Sequence, residues 1–332
     1  MKSPENSRTF THRRCSVARK VMRCCASACG VCVTCMLLFV GVAGCQPADL
    51  NKGLESNESG RLRIAATNYP LAFFAERIGA EYVDVQIAVP ASVDPVRWNP
   101  TPVDVGRLQG ADLILINGAN YEPWINLVTL PDSKIFNTTA SLEDKFIYFQ
   151  DSISHQHGPD GPQSNATLAS TTWLDLTIAI EQAKAVTQAL AKLLPEQQGS
   201  FEERFTELEA ELRRMDDELT SLPATSETAL LAAQPVYQYL ARRCGMDIQN
   251  LQWQVDQTTG GEAWEELQSW LAKHPASAML WPFEPGPEIR AKLEELGLKV
   301  VVYAPASHAP AEGDFLTIMR QNVSRLSESL AP

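Results

Sequence analysis

Residues 195–222 constrain the fold more than any other stretch. Phe201, Phe205, Leu208, Leu212, Met215, Leu219 and Leu222 step by four and three without a break, so they line one stripe of a helix. The other faces carry charge, from Glu202, Glu203 and Arg204 to Asp216, Asp217 and Glu218. Ser200 with Glu203 has the spacing of a capping box, and Pro195 offers an alternative start. At about 1.5 Å per residue such a helix runs roughly 40 Å, long for one compact domain. Periodicity alone fits a spine between two lobes, an ordinary amphipathic helix on one domain, or a short coiled coil. The sequence on either side favours the spine.

Before that stretch, strands are expected at 62–66, 82–89 and 113–116 and helices at 71–78, 102–108, 122–130 and 173–194. After it, strands at 230–233, 278–281 and 299–303 alternate with helices at 236–243, 264–272, 288–296 and 314–326. Such alternation implies βαβ units and parallel sheets. The expected fold is α/β: two parallel-sheet lobes, 61–194 and 223–332, joined by the helix at 195–222, with a ligand cleft between them. Ligands of open parallel sheets sit beyond the carboxyl ends of the strands, and two lobes can turn those ends toward each other. Residues 151–172 interrupt the pattern with SISHQHGPDGPQSN, which reads as a long surface loop.

Charge is divided unevenly. Residues 1–45 hold seven Lys/Arg and one acid, so the remainder carries −18 of a chain whose total is −12. That acidity excludes nucleic acid as a partner, because nothing offsets phosphate repulsion. A basic start, the uncharged run 24–44 and the ending Val42-Ala43-Gly44-Cys45 read as a secretory signal. Val-Ala-Gly-Cys resembles a bacterial lipobox, which implies cleavage after residue 44 and lipid on Cys45. An uncleaved anchor is the alternative, since about 20 uncharged residues can span a bilayer. Residues 45–60 read as a flexible polar tether. Seven of the eight cysteines lie in residues 1–45, so beyond Cys45 only Cys244 remains and no internal disulfide is available. The expected location is periplasmic and lipid-anchored.

Several motifs occur in the order found in one family. Asp94-Pro95-Val96-Arg97-Trp98-Asn99-Pro100, LQGADLILIN at 108–117, GANYEPW at 118–124, Trp173-Leu174-Asp175, Gln234-Pro235 and YLARRCG at 239–245 resemble the metal-type solute-binding lipoproteins of bacterial ABC importers. The resemblance implies two α/β lobes on a rigid helix, zinc or manganese held in the cleft, and an ABC permease in the inner membrane as partner. It also implies a monomer and no enzymatic activity. The chain itself has no nucleophile elbow, phosphate loop or HExxH.

The family's metal ligands do not carry over. The positions that match them are Val96, Thr171 and Gln234, where the family has His, and Ala304, where it usually has Asp. Zinc takes Cys, His or carboxylate donors, typically four. Val and Ala offer none, and neutral Thr and Gln oxygens suit harder cations. Asn68, Trp98, Trp173, Trp281, Tyr303 and His308 are further cleft candidates, and Glu284 is a carboxylate that a shifted register brings to a family acid position. A mostly apolar cleft with a few polar groups suits a small organic ligand. Each aromatic is equally at home in a packed core. His155 and His157 look like a shortened form of the family's His-rich loop and are candidate weak metal ligands, or part of a solvated loop.

The expected function is therefore an extracytoplasmic solute-binding lipoprotein of a zinc/manganese-type import system with an altered or weakened metal site. The alternatives are a member binding an organic solute or metal chelate, and an envelope interaction protein that no longer binds solute.

Overall fold

A computed structural model describes residues 60–150, 166–223, 229–251, 253 and 260–331. The signal segment, Cys45, all of the tether but Gly60, and His155 and His157 lie outside the described residues.

The first half opens with β1 (Leu62–Ala66), whose last three residues are buried. Asn68 then caps α1 (Tyr69–Gly79), its side chain accepting from the Leu71 N–H, with Pro70 in the first turn. β2 (Val83–Ile87) follows. A capping box between Thr101 and Asp104 starts α2 (Pro102–Gly110). β3 (Leu113–Ile116) is buried on both faces, as a central parallel strand must be. β4 (Ile135–Asn137) closes a parallel sheet of order β2-β1-β3-β4. β5 (Tyr148–Gln150) and β6 (Ala166–Leu168) form a separate antiparallel pair.

α3 (Leu176–Leu193) and α4 (Gln198–Thr220) follow. The stripe read from the sequence is the buried face of α4: Phe201, Leu208, Leu212, Met215 and Leu219 are all buried. α4 spans 23 residues, about 35 Å, and packs on α3 and α1 from the first half. The second half supplies β7 (Ala229–Ala232), α5 (Gln238–Cys244), β8 (Ile248–Asn250), α6 (Gly261–Leu271), β9 (Ala276–Trp281), α7 (Pro287–Glu295), β10 (Lys299–Val302) and α8 (Phe315–Leu330). α5 and α8 also pack on α4. The second sheet is parallel with order β10-β9-β7-β8. Numbered within its own half, each sheet therefore has the strand order 2-1-3-4.

One central hydrophobic core joins α1, α3, α4, α5 and α8 to the facing sides of both sheets. Two smaller cores fill the far sides, around Trp98 and Trp124 in the first half and around Trp253, Trp264 and Trp281 in the second. α4 thus bridges the halves through burial worth about 1.5–3 kcal/mol per large apolar side chain.

Four expectations need correction. Within residues 122–130 the structure has one 3-10 turn, Pro123–Leu127, and not a helix; Trp124, Ile125, Val128 and Leu130 pack on the outer core while Leu127 is 79% exposed. The helix expected at 173–194 is a 3-10 turn, Thr172–Leu174, and then α3, because the Asp175 side chain accepts from the Thr177 N–H and caps a new start. Ser200 lies inside α4, which begins at Gln198 behind a 3-10 turn at Pro195–Gln197, so the capping box does not form and the Pro195 start is the better description. The segment 151–172 is not all loop, since β6 lies within it.

Candidate functional site

The carboxyl ends of the central strands β1, β3 and β7 lead into the segments 67–69, 117–122 and 233–237, and that of the edge strand β10 leads into 303–308. In the first half a buried polar network holds them. The Glu122 carboxylate accepts from Thr67 Oγ1 at 2.5 Å, from the Asn117 N–H at 2.7 Å and from the Gly118 N–H at 3.1 Å. Burial pushes the Glu122 carboxyl up to about 7, against the lowering effect of those three hydrogen bonds. Gly118 has φ +78°, and a Cβ there would collide with Asn137 and Thr139. Asn117 Oδ1 accepts from Thr172 Oγ1 at 2.9 Å and Gln182 Nε2 at 3.0 Å. Its Nδ2 donates to the carbonyls of Gly118 and Ser170, each at 2.9 Å.

The second half is held differently. Tyr237 Oη donates to the Tyr303 carbonyl at 2.8 Å, with the two rings edge to face at 5.7 Å. Burial raises the pKa of both phenols. On α8, Asn322 accepts from the Ala304 N–H at 2.9 Å and donates to the Ala304 carbonyl at 2.8 Å.

Direct bonds then cross between the halves. Thr171 Oγ1 donates to the Val236 carbonyl at 2.5 Å and Trp173 Nε1 to the Pro305 carbonyl at 2.6 Å. The Tyr69 N–H donates to the Ser307 carbonyl at 3.1 Å, and His308 Nε2 faces the Val93 carbonyl at 2.9 Å. On α5, Tyr239 Oη donates to the Ala169 carbonyl at 3.2 Å, and Arg242 reaches the Lys145 carbonyl at 2.5 Å and the Asp175 carboxylate at 3.1 Å.

This architecture of twin parallel sheets facing across a helical spine has relatives. The family model for the periplasmic component A of the zinc-uptake complex, ZnuA, matches residues 64–329. The chain belongs to the ZnuA family of metal ABC transporter solute-binding proteins. Among its relatives, the high-affinity zinc uptake system protein ZnuA of Bacillus subtilis is 23% identical over 305 residues, covering 88% of this chain and 94% of the relative. The manganese ABC transporter substrate-binding lipoprotein PsaA of Streptococcus pneumoniae is 23% identical over 320 residues, covering 88% and 95%. The fold matches the crystal structure of the metal-dependent lipoprotein YcdH from Bacillus subtilis with a TM-score of 0.67 at 20% identity, over 82% of this chain and all of that one. Zn(II)-bound AdcA from Streptococcus pneumoniae matches with a TM-score of 0.67 at 17% identity, over 81% of this chain and 58% of that one. No helix of the described residues is long and apolar enough to cross a membrane.

Within this ZnuA-family frame, the four positions that the resemblance sets against metal ligands have distinct surroundings. Val96 sits on the 3-10 turn Pro95–Arg97 and is 37% exposed. Thr171 is buried, with its hydroxyl directed to Val236. Gln234 and Ala304 are half-buried on the second-half loops. His308 Nε2 faces a carbonyl oxygen, which only accepts, so that nitrogen carries the proton and is not free to bind a cation. Among the described residues, no three His, Cys, Asp or Glu side chains group so as to hold a metal ion. The groups present at these positions therefore do not fit a zinc coordination sphere.

The other candidates fall into three groups. Asn68, Trp173, Tyr303 and His308 lie at the junction of the halves. Asn68 Oδ1 caps α1, while its Nδ2 is buried without a partner. Trp98 packs edge to face on Trp124 at 4.7 Å, and Trp281 packs on Trp253 at 6.0 Å, both in the outer cores. Glu284 is exposed and paired with Arg290 Nε at 2.8 Å. Sequence reasoning missed Asn117, Glu122, Arg242 and Asn322. Two of them carried a signal: Asn117 follows a fully apolar strand, where a polar side chain must find partners, and Glu122 is the lone acid of GANYEPW.

Proposed function

We propose that this chain is the extracytoplasmic solute-binding component of a zinc/manganese-type ABC import system, anchored by lipid on Cys45, with an altered or weakened metal site. In this reading residues 1–44 are removed and 45–60 tether the domain. Lobes at 61–194 and 223–332 then work about the helix at 195–222, and an ABC permease is the membrane partner. Family membership supports the transport role. The observation that carries the altered site is the donor set at the matched positions: two aliphatic side chains, one amide, and a hydroxyl already donating to Val236. The relatives named for zinc and manganese lend the import class and not the ion.

The test is metal analysis of the purified protein with calorimetry in zinc and in manganese. The expected result is no stoichiometric metal and no binding heat at micromolar protein. Stoichiometric zinc that survives dialysis, and persists in a His155→Ala/His157→Ala variant, would refute the altered site. Loss of that zinc in the variant would instead move metal binding to the 151–172 loop.

A further inference from the structure

We propose that the two halves are latched shut by the protein's own groups, with Thr171 and Arg242 as the principal fasteners, so that closure does not wait for a solute. This rests on the proposed reading in one respect: Thr171 stands at a position matched to a metal ligand. The family resemblance implies a metal-ligating His at that position. Here the shorter side chain bridges the lobes itself, since Thr171 lies before α4 in the chain and Val236, its acceptor at 2.5 Å, lies after it.

The bridge does not stand alone. Arg242 on α5 fastens two separate points of the first half, the Lys145 carbonyl and the Asp175 carboxylate. Asp175 is also the cap of α3, so the guanidinium is tied to a rigid helix start. Arg242 lies 5.2 Å over the Tyr239 ring, and Tyr239 reaches the Ala169 carbonyl. Trp173, fully buried, donates to Pro305. The backbone bond from Tyr69 to Ser307 and the contact from His308 to Val93 cross between the halves as well.

The consequence follows from linkage. A solute can shift an open–closed equilibrium only by its difference in affinity for the two states. A binding protein that reports its cargo by closing therefore needs an apposition that is weak until cargo arrives. Direct bonds that are buried or half-buried move the equilibrium toward closed before any solute is present. A membrane partner that recognises the closed form would then meet it at all times.

Hydrogen exchange on the full chain tests this, in chelator and in added zinc or manganese. The segments 67–74, 233–239 and 303–308 are expected to be protected in chelator, and to the same extent with metal. Thr171→Val keeps the shape and removes the hydroxyl. It is expected to raise exchange of those rim segments about tenfold, the measure of one buried hydrogen bond, while β2 and β9 stay unchanged. Arg242→Lys keeps the charge and one donor group but cannot bridge both partners; it should raise exchange at 233–239 in the same way. Rim protection that appears only on adding metal would overturn the latch. So would a folded Thr171→Val protein with wild-type rim exchange. Tight zinc binding with unchanged rim protection would refute the altered metal site and leave the latch standing.

Discussion

The two halves share one strand order and differ in what ties down their strand ends. In the first half the loops after β1 and β3 are held by buried side chains that bond one another: Glu122, Thr67, Asn117, Thr172 and Gln182. In the second half the loops after β7 and β10 are held by aromatic packing and by side chains that reach backbone, as Tyr237 does at Tyr303 and Asn322 at Ala304. Both halves also leave side-chain polar atoms buried without a partner, Asn68 Nδ2 in the first and Trp281 Nε1 and Asn250 Oδ1 in the second. The same topology therefore supports two kinds of loop anchor. A side-chain network is cooperative and fails as a unit, whereas single clamps fail one at a time.

The largest expected effect breaks the network. Asn117→Ala removes one hydrogen bond each from the Thr172 hydroxyl, the Gln182 amide and the carbonyls of Gly118 and Ser170, each of which keeps one other partner. Each of the lost bonds is worth about 1 kcal/mol, so a loss of about 4 kcal/mol is expected in urea unfolding. A loss under about 1 kcal/mol would show that the first half is anchored no more cooperatively than the second.

Glu122 gives the network a pH signature. Its carboxyl is raised from 4.5 to about 7 by burial, so the folded state holds a proton that the unfolded state releases. This contribution to stability is complete below about pH 4.5 and is lost as pH rises through about 7. The full swing is about 3 kcal/mol. Unfolding midpoints measured between pH 5 and pH 8 should fall with rising pH, and in Glu122→Gln that fall should disappear. A wild-type profile flat across this range would remove the argument.

Asn322→Ala is the matching test of the second half. It exposes one N–H and one carbonyl, both of Ala304, and should cost about 2 kcal/mol. Combined with Asn117→Ala the losses should add, because the two anchors share no partner.

Much of this contrast was hidden from the sequence for a physical reason. The α4 stripe was legible because seven apolar residues repeat at helical spacing, and the principal strands because each is an apolar run between breakers or, at 82–89, an alternation of Val83, Val85 and Ile87. β4 and β8 escaped notice because three residues carry no measurable period. Residues 122–130 misled because Trp124, Ile125 and Val128 imitate a helical face while Leu127 faces solvent. At the site, the matched positions could be read from motif order. The anchors could not: Thr67 and Glu122 are 55 residues apart, as are Asn117 and Thr172, and only folding brings them together.

The smallest effect is expected at Glu284, and it separates a cleft role from a surface one. Glu284 follows β9 and is the one carboxylate that a shifted register brings to a family acid position. Its side chain is 64% exposed and is engaged by Arg290, 32% exposed, from the first turn of α7. A pair this open to water is screened, and its net worth is within about 0.5 kcal/mol. Glu284→Gln should therefore leave the urea midpoint within that margin and leave zinc and manganese calorimetry indistinguishable from wild type. A carboxylate that coordinated cargo would behave otherwise, since its neutral isostere lacks the charge a divalent cation needs. A loss of binding heat in Glu284→Gln would place a ligand on the second half, and the contrast between the halves would then be one of function and not only of anchoring.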